Sequence, residues 1–482
     1  MSGTNPPSTT SQGPGPGSVS TSVRTGTLKR NTQVAFEDPA ERAGGQVGYQ
    51  PKVRVAERYK VVGFISSGTY GRVYKALGRQ GQPGEFAIKK FKPDKEGEQV
   101  AYTGISQSAI REMSLCSELS HANVIRLVEI ILEDKCIFMV FEYAEHDLLQ
   151  IIHHHTQQPR HPIPPQTVKS IMFQLLNGCQ YLHSNWVLHR DLKPANIMVT
   201  SAGEVKIGDL GLARRFDKPL HSLFSGDKVV VTIWYRAPEL ILGTRHYTPA
   251  IDMWAVGCIF AELLSLRPIF KGEEAKMDSK KTVPFQRNQM QKIVDIMGLP
   301  TKEHWPLLTS MPEYSQLATM QPPLAASAHY HGHPGHHHRS HRSSYAHPGS
   351  SNHGAAQGPH AHGSSLEKWY WSTVSQGAAT TAAQASNSAA PLVSLGTEGY
   401  RLLASLLEYD PDERMTAAKA LQHPFFTTGD RLNSSAFEGL KNEYPHRRVS
   451  QDDNDIRTNS LPGTKRSGLQ DDSLRPAKRL KE

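Results

Sequence analysis

Cysteine is scarce in this chain, with four in 482 residues, at Cys116, Cys136, Cys179 and Cys258. Their scattered positions show no metal-ligand spacing and do not suit a disulfide framework, so reduced, buried thiols in a cytosolic or nuclear protein are expected. Long apolar runs are also missing. No stretch reaches the roughly 18 residues of a membrane span, and the N-terminus lacks a signal-peptide core, so no membrane partner is expected. The excess of positive charge is small for this length, 54 basic against 45 acidic residues for a formal net charge of +9. No aromatic residues interleave with the basic residues of the C-terminal tail, and direct, specific nucleic-acid binding is not expected.

The ends of the chain are poor in apolar residues. Residues 1–55 are dominated by Ser, Thr, Gly and Pro and cannot bury enough surface to fold alone. Residues 427–482 are polar and rich in both charge signs, and a disordered tail is expected there too. That tail contains Lys465-Arg466, an eleven-residue spacer and Lys478-Arg479-Leu480-Lys481, which resembles a bipartite import signal and predicts a nuclear protein. A third low-complexity block, about 321–388, holds nearly half of the 24 histidines, including His336-His337-His338. Gly, Ser and Pro between the imidazoles leave no preorganised ligand geometry, so a disordered insert is expected rather than a metal site. Such an insert costs a fold little, because loop-closure entropy grows only logarithmically with length.

Residues 59–426 read as a globular region with two kinds of periodicity. From Tyr59 to Tyr143 the β-branched and aromatic residues predict strands at Val61–Phe64, Arg72–Leu77, Gly84–Phe91, Val124–Leu132 and Lys135–Glu142, with one long helix after Ser106. Beyond Asp147, Val168, Ile171, Met172, Leu175, Leu176 and Leu182 fall at helical spacing. A further helix is expected near Leu392–Leu407. The expected class is α+β: a small β-rich lobe, 59–143, on a large, mainly helical lobe, 144–426, with a ligand cleft at the seam.

The chemistry is concentrated in His189-Arg190-Asp191-Leu192-Lys193-Pro194-Ala195-Asn196, followed thirteen residues after Asn196 by Asp209-Leu210-Gly211. These residues supply a base for a hydroxyl proton (Asp191), a cation for a phosphate (Lys193) and two oxygen ligands for Mg²⁺ (Asn196 and Asp209). Phosphoryl transfer asks a protein mainly for positioning and charge stabilisation, and this string resembles the catalytic loop of protein kinases. The other parts follow in order. Ile65-Ser66-Ser67-Gly68-Thr69-Tyr70-Gly71-Arg72-Val73 reads as strand, glycine turn, strand, whose N–H groups can close over ATP phosphates. Phe86-Ala87-Ile88-Lys89 carries the phosphate-binding lysine. Glu112, in the helical run Ser108-Ala109-Ile110-Arg111-Glu112, can pair with Lys89, which needs a carboxylate if buried. In Met139-Val140-Phe141-Glu142-Tyr143-Ala144, main-chain groups near Glu142 and Ala144 are candidates for adenine, with Val73 and Ala87 above it and Phe141 behind. Glu239 of Ala237-Pro238-Glu239 is expected to pair with Arg414.

At these residues the chain resembles the cyclin-dependent serine/threonine kinases, and within them the kinase of the Mediator complex, in its fungal-like version. The cues are Gly104-Ile105-Ser106-Gln107-Ser108-Ala109-Ile110-Arg111-Glu112, Tyr143-Ala144-Glu145-His146-Asp147-Leu148 and the run from Val229 to Glu239. The resemblance implies a C-type cyclin packed on the helix of Arg111 and Glu112, and Mediator kinase-module subunits as partners. It also implies ATP and Mg²⁺ as cofactors, with Ser/Thr-Pro sites of transcription factors and of the RNA polymerase II C-terminal repeat as substrates. Many members carry a threonine at the place of Asp227, and its phosphate gathers three arginines, which correspond to Arg111, Arg190 and Arg214. A carboxylate with about half that charge predicts activation by cyclin without activation-loop phosphorylation.

Two residues depart from the general pattern. Ser66 replaces the first glycine of the phosphate loop, and Leu210 replaces a phenylalanine. Neither removes a charged part. A mitogen-activated kinase would carry Thr-x-Tyr in the activation loop, but 212–229 contains neither residue. A mainly structural subunit of a transcription complex stays open on sequence grounds.

Overall fold

The structure is a computed structural model that describes residues 53–67, 71–79, 81–91, 107–133, 136–157, 159–216, 233–244, 246–275, 284–320, 363–382, 395–440 and 443–451. The small lobe opens with a single helical turn, α1 (Val55–Arg58), and then β1 (Tyr59–Ser67), β2 (Gly71–Gly78) and β3 (Glu85–Phe91). Helix α2 (Gln107–Glu118) follows, and β4 (Leu127–Glu133) and β5 (Cys136–Glu142) complete a five-stranded antiparallel sheet ordered β1-β2-β3-β5-β4. Alternation along these strands places Tyr59, Ala76, Phe86, Ile88, Ile131 and Val140 in one buried cluster, as the period-2 pattern requires. Strand β4 starts later than expected. Val124 instead forms an isolated parallel bridge to Ile207, tying the loop between α2 and β4 to the large lobe.

The large lobe runs through β6 (His146–Asp147), α3 (Leu148–Thr156), α4 (Pro165–Ser184), β7 (Val187–Leu188), β8 (Ile197–Val199), β9 (Val205–Ile207) and β10 (Arg214–Arg215). Then come α5 (Pro238–Ile241), α6 (Ala250–Ser265), α7 (Arg287–Met297), α8 (Leu366–Ala382), α9 (Gly396–Leu406) and α10 (Ala417–Leu421). All six of the α4 residues spaced for a helix face are fully buried, each contributing roughly 1.5–3 kcal/mol of burial. All sixteen residues of α6 are buried as well, making it the central post of the lobe. No helix among the described residues is long and apolar enough to cross a membrane.

Three expected boundaries need correction. Val55 is not in a disordered tail: it is buried in the small-lobe cluster and its N–H donates to Glu133 Oε2 at 2.8 Å. The insert expected over 321–388 contains α8, whose Leu366, Tyr370 and Val374 are buried in the main core; the i, i+4, i+8 spacing puts them on one helix face. Residues 321–362 and 383–394 lie outside the described residues. The tail expected from 427 onward is docked over 427–440 and 443–451. Ala436 and Tyr444 are buried, and Lys169 Nζ donates to the carbonyls of Thr428 and Asp430 at 2.9 and 2.7 Å. Residues 452–482, with the import-like signal, and 1–52 lie outside the described residues.

Candidate active site

The ceiling of the cleft is built by β1, β2 and β3. Ile65, Ser66 and Ser67 end β1, and Arg72 and Val73 begin β2; Gly68, Thr69 and Tyr70 lie outside the described residues. Gly71 is required by packing, since a Cβ there would stand 2.4 Å from the Lys90 carbonyl oxygen of β3. Val73 pairs with Lys89, and Ala87 pairs with Phe141, so the register sets these four side chains around one end of the sheet. Lys89 Nζ lies 2.7 and 2.8 Å from the two Glu112 oxygens and 2.9 Å from Asp209 Oδ1. Burial works against charge on Lys89, but the carboxylates of Asp209 and Glu112 outweigh it and hold its pKa above the ordinary lysine value. For Glu112, burial is the largest influence and pushes its pKa up, against the ammonium of Lys89. Lys89 pulls Asp209 down to about 2, so that carboxylate is ionised.

The floor is the loop 189–196, and Asp252 at the start of α6 fixes its shape. Asp252 Oδ2 accepts from the His189 N–H at 2.9 Å, Oδ1 from the Arg190 N–H at 2.9 Å, and Oδ2 also lies 3.0 Å from His183 Nε2. Burial opposes its charge, yet these bonds keep its pKa below the ordinary aspartate value. Arg190 and Asp209 are two of the four non-glycine residues with positive φ among those described, at 69° and 55°. Strained backbone of this kind persists only where the surroundings hold it. Asp191 Oδ2 accepts from Lys193 Nζ at 2.8 Å and from Asn196 Nδ2 at 3.1 Å, and Asn196 Nδ2 also donates to the Asp191 carbonyl at 2.8 Å. Asp191 Oδ1 is buried and has no hydrogen-bond partner among the described residues. A buried acceptor in that condition is costly unless a ligand group satisfies it.

The donor set fits a hard divalent cation. Asp209 is ionised and 44% exposed. The Asn196 amide nitrogen is committed to Asp191, which leaves its oxygen to ligate. Two protein oxygens are what Mg²⁺ usually takes alongside phosphate oxygens and water. Among the described residues there is no cluster of three or more His, Cys, Asp or Glu that could hold a metal alone.

At the hinge, the Glu142 N–H is already committed to the Arg126 carbonyl at 3.1 Å, and the Glu142 side chain accepts from the Arg126 N–H at 2.8 Å. The Glu142 carbonyl and the main chain of Ala144 are therefore the groups left for a ligand, a narrowing of the sequence expectation. Leu210 is buried in the core beside α2, so leucine fills this position. Arg111, Arg190 and Arg214 stand on α2, the catalytic loop and β10. Arg190 donates to the Leu212 carbonyl at 3.0 Å and α2 packs on the 210–212 turn, bringing the three carriers together. Asp227 lies outside the described residues. Arg414 holds Glu239 through two bonds, 2.7 and 3.0 Å, in full burial.

The chain from residue 59 to residue 426 matches the family model described as protein kinase domain. The chain belongs to the protein kinase family. It is 74% identical over 458 residues to the serine/threonine-protein kinase SSN3 of Chaetomium globosum, covering 94% of this chain and 86% of that one. It is 76% identical over 448 residues to the SSN3 kinase of Gibberella moniliformis, covering 92% and 95%. Against that of Pyricularia oryzae it is 68% identical over the whole of both chains. It is thus a serine/threonine kinase of the SSN3 group, and kinases of this fold use ATP with a divalent metal.

Sequence reasoning missed Asp252. Its signal was present, an acid within the otherwise apolar run Ala250-Ile251-Asp252-Met253-Trp254-Ala255-Val256. Such a residue is buried only when its charge is used.

Proposed function

We propose that this kinase is the cyclin-dependent catalytic subunit of the Mediator kinase module. It transfers the γ-phosphate of ATP to Ser/Thr-Pro sites of transcription factors and of the RNA polymerase II C-terminal repeat, in the nucleus. The observation that carries the catalytic part is the convergence of Lys89, Glu112, Asp191, Lys193, Asn196 and Asp209, with Asp191 Oδ1 unsatisfied.

Asp191 Oδ1 accepts the substrate hydroxyl proton as the oxygen attacks phosphorus. Lys193, on the other carboxylate oxygen, neutralises charge on the phosphoryl group in transit. Lys89, fixed by Glu112, orients the α- and β-phosphates. Asp209 and Asn196 would hold Mg²⁺, which would supply charge neutralisation to the phosphates. Asp252 keeps the loop's N–H groups, and so Asp191, in register.

A cyclin docking on α2 is supported by Ile110, which is 49% exposed on that helix, and by the dependence of the Lys89–Glu112 pair on where α2 sits. An element whose position makes or breaks a catalytic ion pair is a natural control point. Asp227 stands in for a phosphothreonine in this reading, so cyclin alone activates.

Purification with bound proteins followed by mass spectrometry tests the assignment. Recovery of a C-type cyclin with large Mediator subunits is the expected result. A different cyclin without Mediator subunits would move the enzyme to another transcriptional kinase group.

A further inference from the structure

Strand β1 is an edge of the small-lobe sheet, so its outer row of N–H and C=O groups has no neighbouring strand. A distant segment supplies a partner at one place. The Phe64 N–H donates to the Ser450 carbonyl at 2.7 Å, and the Ser450 N–H donates to the Phe64 carbonyl at 2.8 Å, forming a one-rung antiparallel bridge. Gln451 Nε2 donates to the Val62 carbonyl at 2.9 Å. Gly63 permits this approach: a Cβ there would stand 2.7 Å from both the Ser450 carbonyl oxygen and Val449 Cγ1.

The other end of the segment is held by the large lobe just past the hinge. Tyr444 is buried, with its hydroxyl 2.8 Å from His155 Nε2. The Pro445 carbonyl lies 3.1 Å from His146 Nδ1. The Arg447 N–H donates to the Glu145 carbonyl at 2.7 Å, and its guanidinium lies 3.3 Å from Asp147 Oδ2. Residues 444–451 therefore tie the start of α3 to the strand that leads into the phosphate loop.

The tie reads Arg447-Arg448-Val449-Ser450. Two guanidinium groups three and two residues ahead of a serine are the substrate pattern of arginine-directed protein kinases. Gln451 follows, so a proline-directed enzyme does not fit this serine. We propose that Ser450 is a phosphorylation site for an arginine-directed kinase, and that its modification releases the tie between the lobes. Ser450 Oγ bonds to the γ-phosphorus of an ATP held by the modifying kinase and the bond to the β,γ-bridging oxygen breaks. ADP leaves, and the hydroxyl proton passes to that kinase's base.

Two effects drive the release. Residues directly opposite in an antiparallel bridge share a sheet face, and on that face Phe64 is fully buried. Ser450 is half-buried, so a phosphate of about −1.5 to −2 charge there would be partly desolvated beside Phe64. The same phosphate also competes with Asp147 for Arg447, and a phosphate offers the guanidinium more acceptor oxygens. Ser450 is modified in the fraction of molecules whose tie has opened, and the phosphate keeps them open.

The full-length chain carrying Asp191→Ala, which removes self-labelling, is treated with ATP and the catalytic subunit of cyclic-AMP-dependent kinase as the probe. Phosphate is located by mass spectrometry, and hydrogen exchange is followed over residues 59–67 and 444–451. The expected result is near-stoichiometric phosphate on Ser450, absent in Ser450→Ala and reduced about tenfold in Arg448→Gln. Exchange at both segments should quicken roughly tenfold after modification. Gly63→Ala should quicken exchange at both segments without any phosphate, and in the active chain either change should raise KM for ATP about threefold. Absence of phosphate from Ser450, or stoichiometric phosphate with unaltered exchange, would overturn the proposal. Unaltered exchange in Gly63→Ala would overturn the tie itself.

Discussion

Replacing Glu112 by glutamine removes one charge from the centre of the site while keeping its shape. Glu112 is 1% exposed and holds Lys89 through both oxygens, at 2.7 and 2.8 Å. Breaking one side of a buried ion pair costs about 3–5 kcal/mol when the remaining charge is left uncompensated. Here Asp209, 2.9 Å from Lys89, retains part of the compensation, so about 2 kcal/mol of stability should be lost. The effect on activity should be larger than that on folding. Without Glu112, Lys89 has only Asp209 to turn to, which draws it off the nucleotide phosphates and occupies an oxygen needed by the metal. We expect kcat/KM to fall about a hundredfold, or roughly 2.7 kcal/mol of transition-state stabilisation. Steady-state phosphorylation of a Ser-Pro peptide by the cyclin-bound enzyme, with thermal unfolding measured in parallel, reads both effects. A Glu112→Gln enzyme with kcat/KM within about twofold of the parent would refute the role given to the pair.

Asp191→Asn should lower kcat by about 10²–10⁴-fold with nucleotide affinity unchanged in equilibrium titration, because Lys89 and Asp209 are untouched; retained turnover would exclude it as the base. Glu239→Ala strands Arg414 in full burial and should cost about 3–5 kcal/mol in calorimetric stability; an unshifted Tm would show that the pair is not structural. Burial pushes the Glu262 carboxyl from its ordinary 4.5 up to about 7, against the hydrogen bond from Tyr235. The folded protein thus holds a proton that the unfolded chain has lost between those values, and stability falls as pH rises through that window. Glu262→Gln should therefore stabilise the protein by roughly 2–3 kcal/mol at pH 8 and by little near pH 4.5, and equal unfolding curves at both pH values would contradict this. Asp227→Ala should lower kcat of the cyclin-bound enzyme, and unaltered kinetics would discard the stand-in for a phosphate.

The catalytic parts were legible because phosphoryl transfer fixes both residue type and spacing in a short string, as in Asp191, Lys193 and Asn196. Helix α4 was legible because its buried face repeats at the helical period. The docked segments 427–440 and 443–451 were not, since they are held by scattered side-chain and backbone hydrogen bonds and a few anchors, Ala436, Phe437 and Tyr444, which no period reveals. Helix α8 was masked by its low-complexity surroundings, although Leu366, Tyr370 and Val374 already carried the spacing. The hinge was read from side chains, but which main-chain group is free depends on the Arg126 carbonyl, a contact sixteen residues away in sequence.

A crystal structure of the cyclin-bound enzyme with Mg²⁺ and a non-hydrolysable ATP analogue tests the account most directly. It should place Mg²⁺ about 2.0–2.1 Å from oxygens of Asp209 and Asn196, Lys89 between Glu112 and the phosphates, and Asp191 Oδ1 open toward the acceptor position beyond the γ-phosphate. A nucleotide whose terminal phosphate lies away from Asp191 and Lys193, or a metal held without Asp209, would contradict it.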